Sequence, residues 1–371
     1  MKAFFLFLTL SLLLFSCSDA KQGDLLEISV DPDQNVSLAL SEIAEDITAI
    51  ELELTDESLI NTDFSTHVFV SENNVIIGQM YNIFVFNKEG KFIRSIGSRG
   101  QGPGEYQYIN SLAFDERNKR LLIFSSRKII CYDLDGKFLN EFERSPNNPY
   151  NLVLTDANYI NDELFYSIEQ MSGSYEEGYV KSSVVYRLNN DFNVIDSFSF
   201  RKTYLDEKYG SLMSARDYIL NVNSTVYLYF TELTELSNNE EAQKLVLQDT
   251  LCRLEKNQLV PELKLIFKND GIRGGILSIH LFNIYRSTRY VFAIYINRLD
   301  KKCYCFCYDT KTGKGYNMQD GYTDDFNQIE TRVLIRPSKL DTEMFYYLHT
   351  NMKPDDLEEP NPTLYIGRLK K

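Results

Sequence analysis

Two segments of this chain align without a gap, and this repeat restricts the possible folds more than any other feature of the sequence. Residues 83–93 (IFVFNKEGKFI) match residues 129–139 (IICYDLDGKFL). Each segment has two apolar runs separated by a turn that ends in Glu-Gly or Asp-Gly, and glycine supplies the positive φ that a tight hairpin turn requires. The repeat predicts β-hairpins 46 residues apart, aligned on Phe86 and Tyr132.

Weaker copies of the hairpin follow at similar intervals. The six anchor positions are Phe86, Tyr132, Tyr186, Cys252, Phe306 and Tyr365. Repeats of about 40–60 residues are typical of four-stranded propeller blades. The sequence therefore predicts an all-β fold, a six-bladed β-propeller with four antiparallel strands per blade, over residues 41–371. The longer intervals predict insertions around Tyr204–Arg216 and Thr234–Gln248, the second with a short helix.

The two ends of the chain predict how the ring closes. The sixth anchor, Tyr365, begins a third strand, and the chain stops before a complete fourth strand can follow. The alternating run Ile47–Leu54 has no partner within its own repeat, so we expect it to supply the outer strand of blade six and cover an open sheet edge. Residues 17–40 are predicted to be a tether with an extra early strand, Leu26–Val30.

The first 17 residues carry an export signal. The apolar run Phe4–Phe15 follows Lys2; it is too short for a bilayer, which needs about 20 residues, and is typical of a signal peptide over residues 1–16. Ser16 directly before Cys17 matches a bacterial lipobox. We expect an acylated Cys17 to anchor the protein to a lipid bilayer of the cell envelope, on either leaflet of the outer membrane. The alternative is an ordinary secretory signal in which Cys17 is incidental.

The other cysteines are odd in number, so they cannot all pair in disulfides. They are Cys131, Cys252, Cys303, Cys305 and Cys307. The last three alternate along one predicted strand, which places their side chains on one face. We interpret them as small apolar core residues rather than as a metal site, because flat strand spacing chelates poorly and no histidine lies nearby.

A glycine-rich segment follows the first hairpin, and we expect it to join the outer strand of one blade to the inner strand of the next. Its structural residues are Gly97, Gly100, Gly102, Pro103 and Gly104. A phosphate-binding loop would need a following helix, whereas residues 109–115 form an alternating, strand-like run. Nucleotide binding is therefore not predicted.

The run from Phe92 to Asp115 resembles an NHL-type repeat. More closely, it is similar to the six-bladed β-propeller lipoproteins of Gram-negative bacteria that carry a Gly-x-Gly-Pro-Gly-Glu-Tyr segment, here residues 100–106. The similarity covers roughly residues 40–370 and is strongest over 81–142, and the later repeats lack a second glycine-rich run. The resemblance implies the propeller fold and lipid anchoring, and the family is often associated with nutrient capture at the envelope.

Four residues of the glycine-rich segment are candidates to line or rim the ligand face of the central channel: Arg99, Gln101, Glu105 and Tyr106. Arg99 offers two parallel N–H donors to a carboxylate, and Tyr106 offers an aromatic face and a hydroxyl. The structural alternative is that Glu105 and Arg99 bond to loop backbone or to each other, and that Tyr106 packs between blades.

Charge and composition narrow the function classes. The chain has 53 acidic and 39 basic residues, a net charge of -14, which argues against nucleic acid as a partner. Its three histidines lie far apart, so no catalytic residue, metal site or cofactor is predicted, and His280 in an apolar run is expected to be a core or channel residue. The first hypothesis is non-catalytic binding of an oligosaccharide, a peptide or a partner protein. The alternative is a lyase or hydrolase acting on an extracellular polymer.

Overall fold

The computed structural model describes most of the chain and shows a nearly all-β protein. It describes residues 25–61, 66–125, 128–143, 152–174, 178–205, 219–229, 249–256, 258–268, 272–273, 276–339, 343–350 and 360–371. Six sheets with four antiparallel strands each form the blades of a six-bladed β-propeller. The fold class predicted from the hairpin repeat is therefore confirmed.

Three short elements precede the first complete blade. They are β1 (Leu26–Val30), α1 (Leu40–Ile43) and β2 (Ala44–Glu51). Both strands belong to blades whose other strands lie much later in the chain, so the N-terminal segment ties distant parts of the ring together.

Blades one to three are built from consecutive strands, with the innermost strand first. Blade one contains β3 (His67–Val70), β4 (Asn74–Gly78), β5 (Ile83–Asn87) and β6 (Phe92–Ser95). Blade two contains β7 (Ser111–Asp115), β8 (Arg120–Phe124), β9 (Lys128–Asp133) and β10 (Phe138–Glu143). Blade three contains β11 (Leu152–Ile160), β12 (Glu163–Ser174), β13 (Gly178–Leu188) and β14 (Val194–Leu205).

The later blades follow the same plan with additions. Blade four contains β15 (Ile219–Val222), β16 (Thr225–Leu228), β17 (Thr250–Glu255) and β18 (Gln258–Phe267). A hairpin of β19 (Ile272–Arg273) and β20 (Ile276–Leu277) leads to blade five, with β21 (Ile279–Arg286), β22 (Tyr290–Asn297), β23 (Lys302–Asp309) and β24 (Lys314–Gln319). A second hairpin of β25 (Tyr322–Thr323) and β26 (Arg332–Val333) leads to blade six, with β27 (Arg336–Lys339), β28 (Met344–His349), β29 (Thr363–Leu369) and β2.

The hairpin anchors identify equivalent strands in all six blades. Each of the six lies in the third strand of its blade. In the two closest copies, Gly90 and Gly136 occupy the turn with φ of 83° and 81°, the conformation that the turn requires. The repeat read from the sequence is thus the repeat of the structure.

The ring closes through β2, as the sequence predicted. This strand pairs antiparallel with β29, with Ile47 opposite Gly367 and Ala49 opposite Tyr365. The predicted limits, Ile47–Leu54, were shifted, because the strand ends at Glu51. Beyond that point Glu53 bonds to the hairpin turn of blade one instead, where its backbone N–H donates to Gly90 O at 2.9 Å.

The predicted early strand is also present, and it adds a fifth strand to blade four. β1 pairs parallel with β18, from Leu26 opposite Leu263 to Val30 opposite Phe267. Ile28 and Val30 are fully buried in the same hydrophobic cluster as those core residues of β18. The alternation of buried and exposed side chains explains why this short run forms a strand.

The hydrophobic core lies between neighbouring blades. Ile76 and Val85 of blade one pack with Leu112 and Leu121 of blade two in one such layer. Polar side chains join the innermost strands, whose inner edges have no neighbouring strand. Asp156 of β11 accepts a hydrogen bond from the backbone N–H of Ile219 in β15 at 2.8 Å.

Some predicted features lie outside the described residues. They are the signal peptide, Cys17, most of the insertion at Tyr204–Arg216 and the whole of Thr234–Gln248. In the part of the chain that the structure describes, no helix has the length and apolar character to cross a membrane.

Candidate functional site

The glycine-rich segment connects β6 of blade one to β7 of blade two, the position expected from the sequence. The segment folds back on itself. The Gly100 N–H donates to Tyr106 O at 3.0 Å, and the Tyr106 N–H donates to Ser98 O at 3.1 Å. These backbone bonds fix the shape of the loop without using its side chains.

Glu105 is used inside this loop. Its Oε2 accepts a hydrogen bond from the backbone N–H of Gly102 at 2.8 Å. A Cβ at position 100 would stand 2.0 Å from the same oxygen, so a larger residue there would displace the carboxylate. Glu105 therefore satisfies loop backbone, which is the structural alternative considered for it above.

The loop rests on the two outer strands of blade two. The Gly104 N–H donates to Glu141 Oε2 at 2.9 Å, and Tyr132 OH donates to Gly104 O at 2.6 Å. Gly104 adopts a φ of 77°, in the left-handed region that favours glycine. Glu141 and Tyr132 belong to β10 and β9, so this part of the loop lies away from the innermost strand that borders the central channel.

A partly exposed ion pair strengthens the contact between the loop and blade two. Lys128 Nζ lies 2.9 Å from Glu141 and also donates to Gly102 O at 2.8 Å. Desolvation acts to raise the pKa of Glu141, but the hydrogen bonds from Gly104 and Lys128 outweigh it and hold the pKa below its ordinary value. The glutamate is therefore charged at neutral pH and fixes the loop on blade two.

Tyr106 packs between blades, which is the alternative to ligand binding that the sequence left open for it. It is 2% exposed, and its hydroxyl donates to Ile96 O at 3.2 Å. Burial raises the pKa of Tyr106, so the phenol is neutral. With Glu105 and Tyr106 turned inward, these two side chains support the loop.

Arg99 and Gln101 are the two candidates that remain exposed. The Arg99 guanidinium lies over the ring of Tyr81, with its carbon 4.7 Å from the ring centroid, a cation–π contact. Arg99 makes no ion pair with any carboxylate among the described residues. Because Arg99 is exposed, its N–H donors are accessible from solvent.

Sequence reasoning missed the other half of this surface. Met80 and Tyr81 occupy the turn between β4 and β5, and they are 44% and 43% exposed. The Ile109 N–H donates to Met80 O at 2.7 Å, which ties this turn to the connection into blade two. The sequence signal that could have revealed this surface was the presence of two large apolar side chains in so short a turn. We call Met80, Tyr81, Arg99 and Gln101 the Tyr81–Arg99 surface.

The histidine and cysteine candidates lie in other blades. His280 on β21 packs edge-on against Phe282, and burial, aided by the charge of Arg298, lowers its pKa to about 4. Cys303, Cys305 and Cys307 share one face of β23, and burial raises the pKa of each thiol. Protonated thiols packed in a sheet have the small apolar character inferred from the sequence.

The described residues hold no cluster of three or more His, Cys, Asp or Glu side chains with metal-binding geometry. The cysteines within them, including Cys131 and Cys252, are free thiols. An open cavity with a volume of about 350 Å³ lies between residues 35–37, the end of blade five and Arg332. It does not contact the Tyr81–Arg99 surface.

Three solved structures are similar to this chain at low sequence identity. A Bacteroides fragilis protein described as exported is 17% identical with a TM-score of 0.59, and the match covers 94% of this chain and 100% of that one. A protein of unknown function from Bacteroides caccae is 13% identical with a TM-score of 0.42, covering 79% and 90%. The β-propeller domain of the Trilobed protease from Pyrococcus furiosus is 12% identical with a TM-score of 0.38, covering 83% and 81%.

The likeness to the Bacteroides fragilis protein concerns the fold alone. A comparison with curated proteins gives no match. A family model described as "Domain of unknown function (DUF4934)" matches residues 25–365, from the residue before β1 into β29. Because this match includes the N-terminal strands, the glycine-rich loop and almost all of the sixth blade, the chain belongs to the DUF4934 family.

Proposed function

We propose that this protein is an envelope lipoprotein whose propeller binds a ligand without converting it, through the Tyr81–Arg99 surface. The observation that carries the proposal is an exposed guanidinium stacked on an exposed aromatic ring, with no carboxylate partner among the described residues. In an acidic chain such a cation is available to an anionic group from outside.

The surrounding structure holds this surface in place. The loop that carries Arg99 is fixed by its own backbone bonds, by Glu105 and by Glu141, and the turn that carries Tyr81 is bonded to Ile109. A site that is rigid before binding loses less conformational entropy when the ligand arrives. This supports a binding role for a surface that lies at a loop on a rigid scaffold.

The chemistry of the surface indicates the chemistry of its ligand. Arg99 suits a carboxylate, and Met80 and Tyr81 suit an adjacent apolar or ring face. An acidic oligosaccharide and an acidic peptide or protein segment both carry these groups. The proposal is thus a ligand in which a carboxylate adjoins an apolar face.

The test is a glycan and peptide array probed with soluble protein lacking residues 1–19, followed by affinity measurements on the best ligand. Arg99→Ala should weaken binding about tenfold or more, because a hydrogen bond to a charged group contributes about 1.5–3 kcal/mol. Arg94→Ala is the matched control, since Arg94 lies in the same blade and already pairs with Asp135. Equal affinity of Arg99→Ala and wild type would contradict the site, and chemical change of the bound ligand would contradict non-catalytic binding.

Anchoring is tested separately. Cys17→Ala should move the protein from the membrane fraction to the soluble fraction, and retention at the membrane would contradict acylation. The described N-terminal residues begin at the edge of blade four, a position from which a tether can run to a membrane. The NHL-like character of the repeat stays a prediction from the residues 92–115.

A further inference from the structure

We infer that the outer edge of blade four is the side of the propeller that faces the lipid surface. The inference rests on the proposed acylation of Cys17. Its structural basis is the place where the N-terminal chain joins the folded domain.

That place is fixed by β1. Leu26 pairs with Leu263 and Val30 with Phe267, so the strand runs along the outermost strand of blade four. Ile28 is 1% exposed and Val30 is 0% exposed, so the contact is part of the core and not a loose association. Leu25, the residue before the strand, is therefore held at this edge.

The length of the tether limits the distance to the bilayer. Seven residues, 18–24, separate Cys17 from Leu25, which makes eight residue-to-residue steps. Eight steps span at most about 28 Å when the chain is fully extended. The acyl chains can enter a bilayer only if the edge of blade four lies within this distance of the lipid headgroups.

The edge itself is suited to lie near lipid. Leu25 and Ile266 expose 37% and 40% of their surfaces there. Residues 25–31 together with the described residues of blade four, 219–229, 249–256 and 258–268, carry five acidic and four basic side chains. Most of them form ion pairs: Lys268 with Asp31, Lys264 with Asp249, Arg253 with Glu255 and Glu262, and Arg286 of blade five with Glu262. The edge is nearly neutral although the chain has a net charge of -14.

Blade one is the edge that would face the membrane if charge, and not the tether, set the orientation. It lies three blades away, across the ring, and its residues 66–95 carry three basic and two acidic side chains. If charge set the orientation, blade one would approach anionic lipids. If the tether sets it, blade four approaches them. The two edges therefore distinguish the two causes.

The chain contains no Trp, so a single introduced Trp is a unique fluorophore. Ile266→Trp reports on blade four and Ile93→Trp on blade one, at positions that are each 40% exposed. The full-length acylated variants are placed in phosphatidylethanolamine–phosphatidylglycerol vesicles that contain a lipid with a nitroxide quencher on its headgroup. Glu27→Trp on β1 is a second reporter for blade four, and thermal melts confirm that each variant is folded.

We expect the Trp at position 266 or 27 to lose most of its emission and the Trp at position 93 to keep it. Equal quenching at both edges, or quenching at blade one alone, in a protein that floats with the vesicles would overturn the orientation and leave the anchor intact. A wild-type protein that does not float, like its Cys17→Ala variant, would overturn the anchor and the orientation together.

Discussion

Both N-terminal strands join the outer edge of a blade, but they do so in different ways. β2 runs antiparallel to β29 and supplies the fourth strand of blade six, whereas β1 runs parallel to β18 and adds a fifth strand to a blade that is already complete. The strand that closes the ring, β2, is nevertheless the less buried of the two. Ile28 and Val30 of β1 are fully buried, while only Ala44 and Ile50 are buried among the eight residues of β2.

The difference separates two contributions of a strand. β2 connects the first and last blades, so its pairing holds the ring closed although it buries little side-chain surface. β1 buries more surface per residue but closes nothing. We expect removal of β2 to affect the cooperativity of unfolding. Removal of β1 should instead lower the stability of a fold that still unfolds cooperatively.

The largest effect should follow deletion of residues 42–55, which removes β2. The edge of β29 would be left unpaired and the ring open between blades six and one, so we expect loss of the cooperative unfolding transition. Thermal melts followed by circular dichroism measure this. Deletion of residues 25–30 is the control and should keep a cooperative transition at a lower Tm. An unchanged Tm after the first deletion would contradict closure by β2.

For single substitutions, in contrast to the deletions, we expect the larger loss of stability in β1. Ile28→Ala removes a fully buried side chain of β1, and we expect a loss of about 2–5 kcal/mol in the free energy of unfolding. Ile47→Ala removes a half-buried side chain of β2 and should cost roughly 1 kcal/mol. Urea unfolding of both variants gives the comparison. A larger loss for Ile47→Ala would show that ring closure, and not burial, determines how much each side chain contributes to the free energy of unfolding.

A carboxylate fixes the chain just after each of the two N-terminal strands, Asp31 after β1 and Glu53 after β2. Of the two, Glu53 should give the clearer dependence of Tm on pH. Glu53 accepts hydrogen bonds from the Phe92 N–H at 3.0 Å and from Lys91 at 3.2 Å, and these bonds lower its pKa from the ordinary 4.5. Because the folded-state pKa is depressed, the stabilisation is present above pH 4.5 and is lost as the pH falls through the lower folded-state value. Glu53→Gln should therefore show a shallower loss of Tm on acidification, and an identical pH profile for variant and wild type would contradict this role.

The sequence predicted the elements that repeat or alternate locally. The hairpin anchors gave all six third strands, and the run at Ile47–Leu54 gave the closing strand with its limits shifted. The partner of β1 had no such signal, because blade four has four strands of its own and the repeat leaves no vacant edge there that would indicate a fifth strand. The sequence likewise singled out Arg99 but not the ring of Tyr81, since that contact joins a connection between blades to a turn within one blade.

The smallest effect belongs to the carboxylate after β1. Asp31 lies 2.8 Å from Lys268, and this hydrogen bond lowers the pKa of the Asp31 carboxyl. The pair is at the surface, where salt screens ionic attraction over about 10 Å at 0.1 M. Asp31→Asn should lower the Tm slightly at low salt, and about 1 M salt should remove the difference from wild type. Part of the Glu53→Gln difference should survive that salt, because salt screens the pairing of Glu53 with Lys91 but not the short bond from the Phe92 N–H to the charged carboxylate. If salt removes both differences equally, the ends of β1 and β2 are held by the same surface electrostatics and only the pairing of the strands distinguishes them.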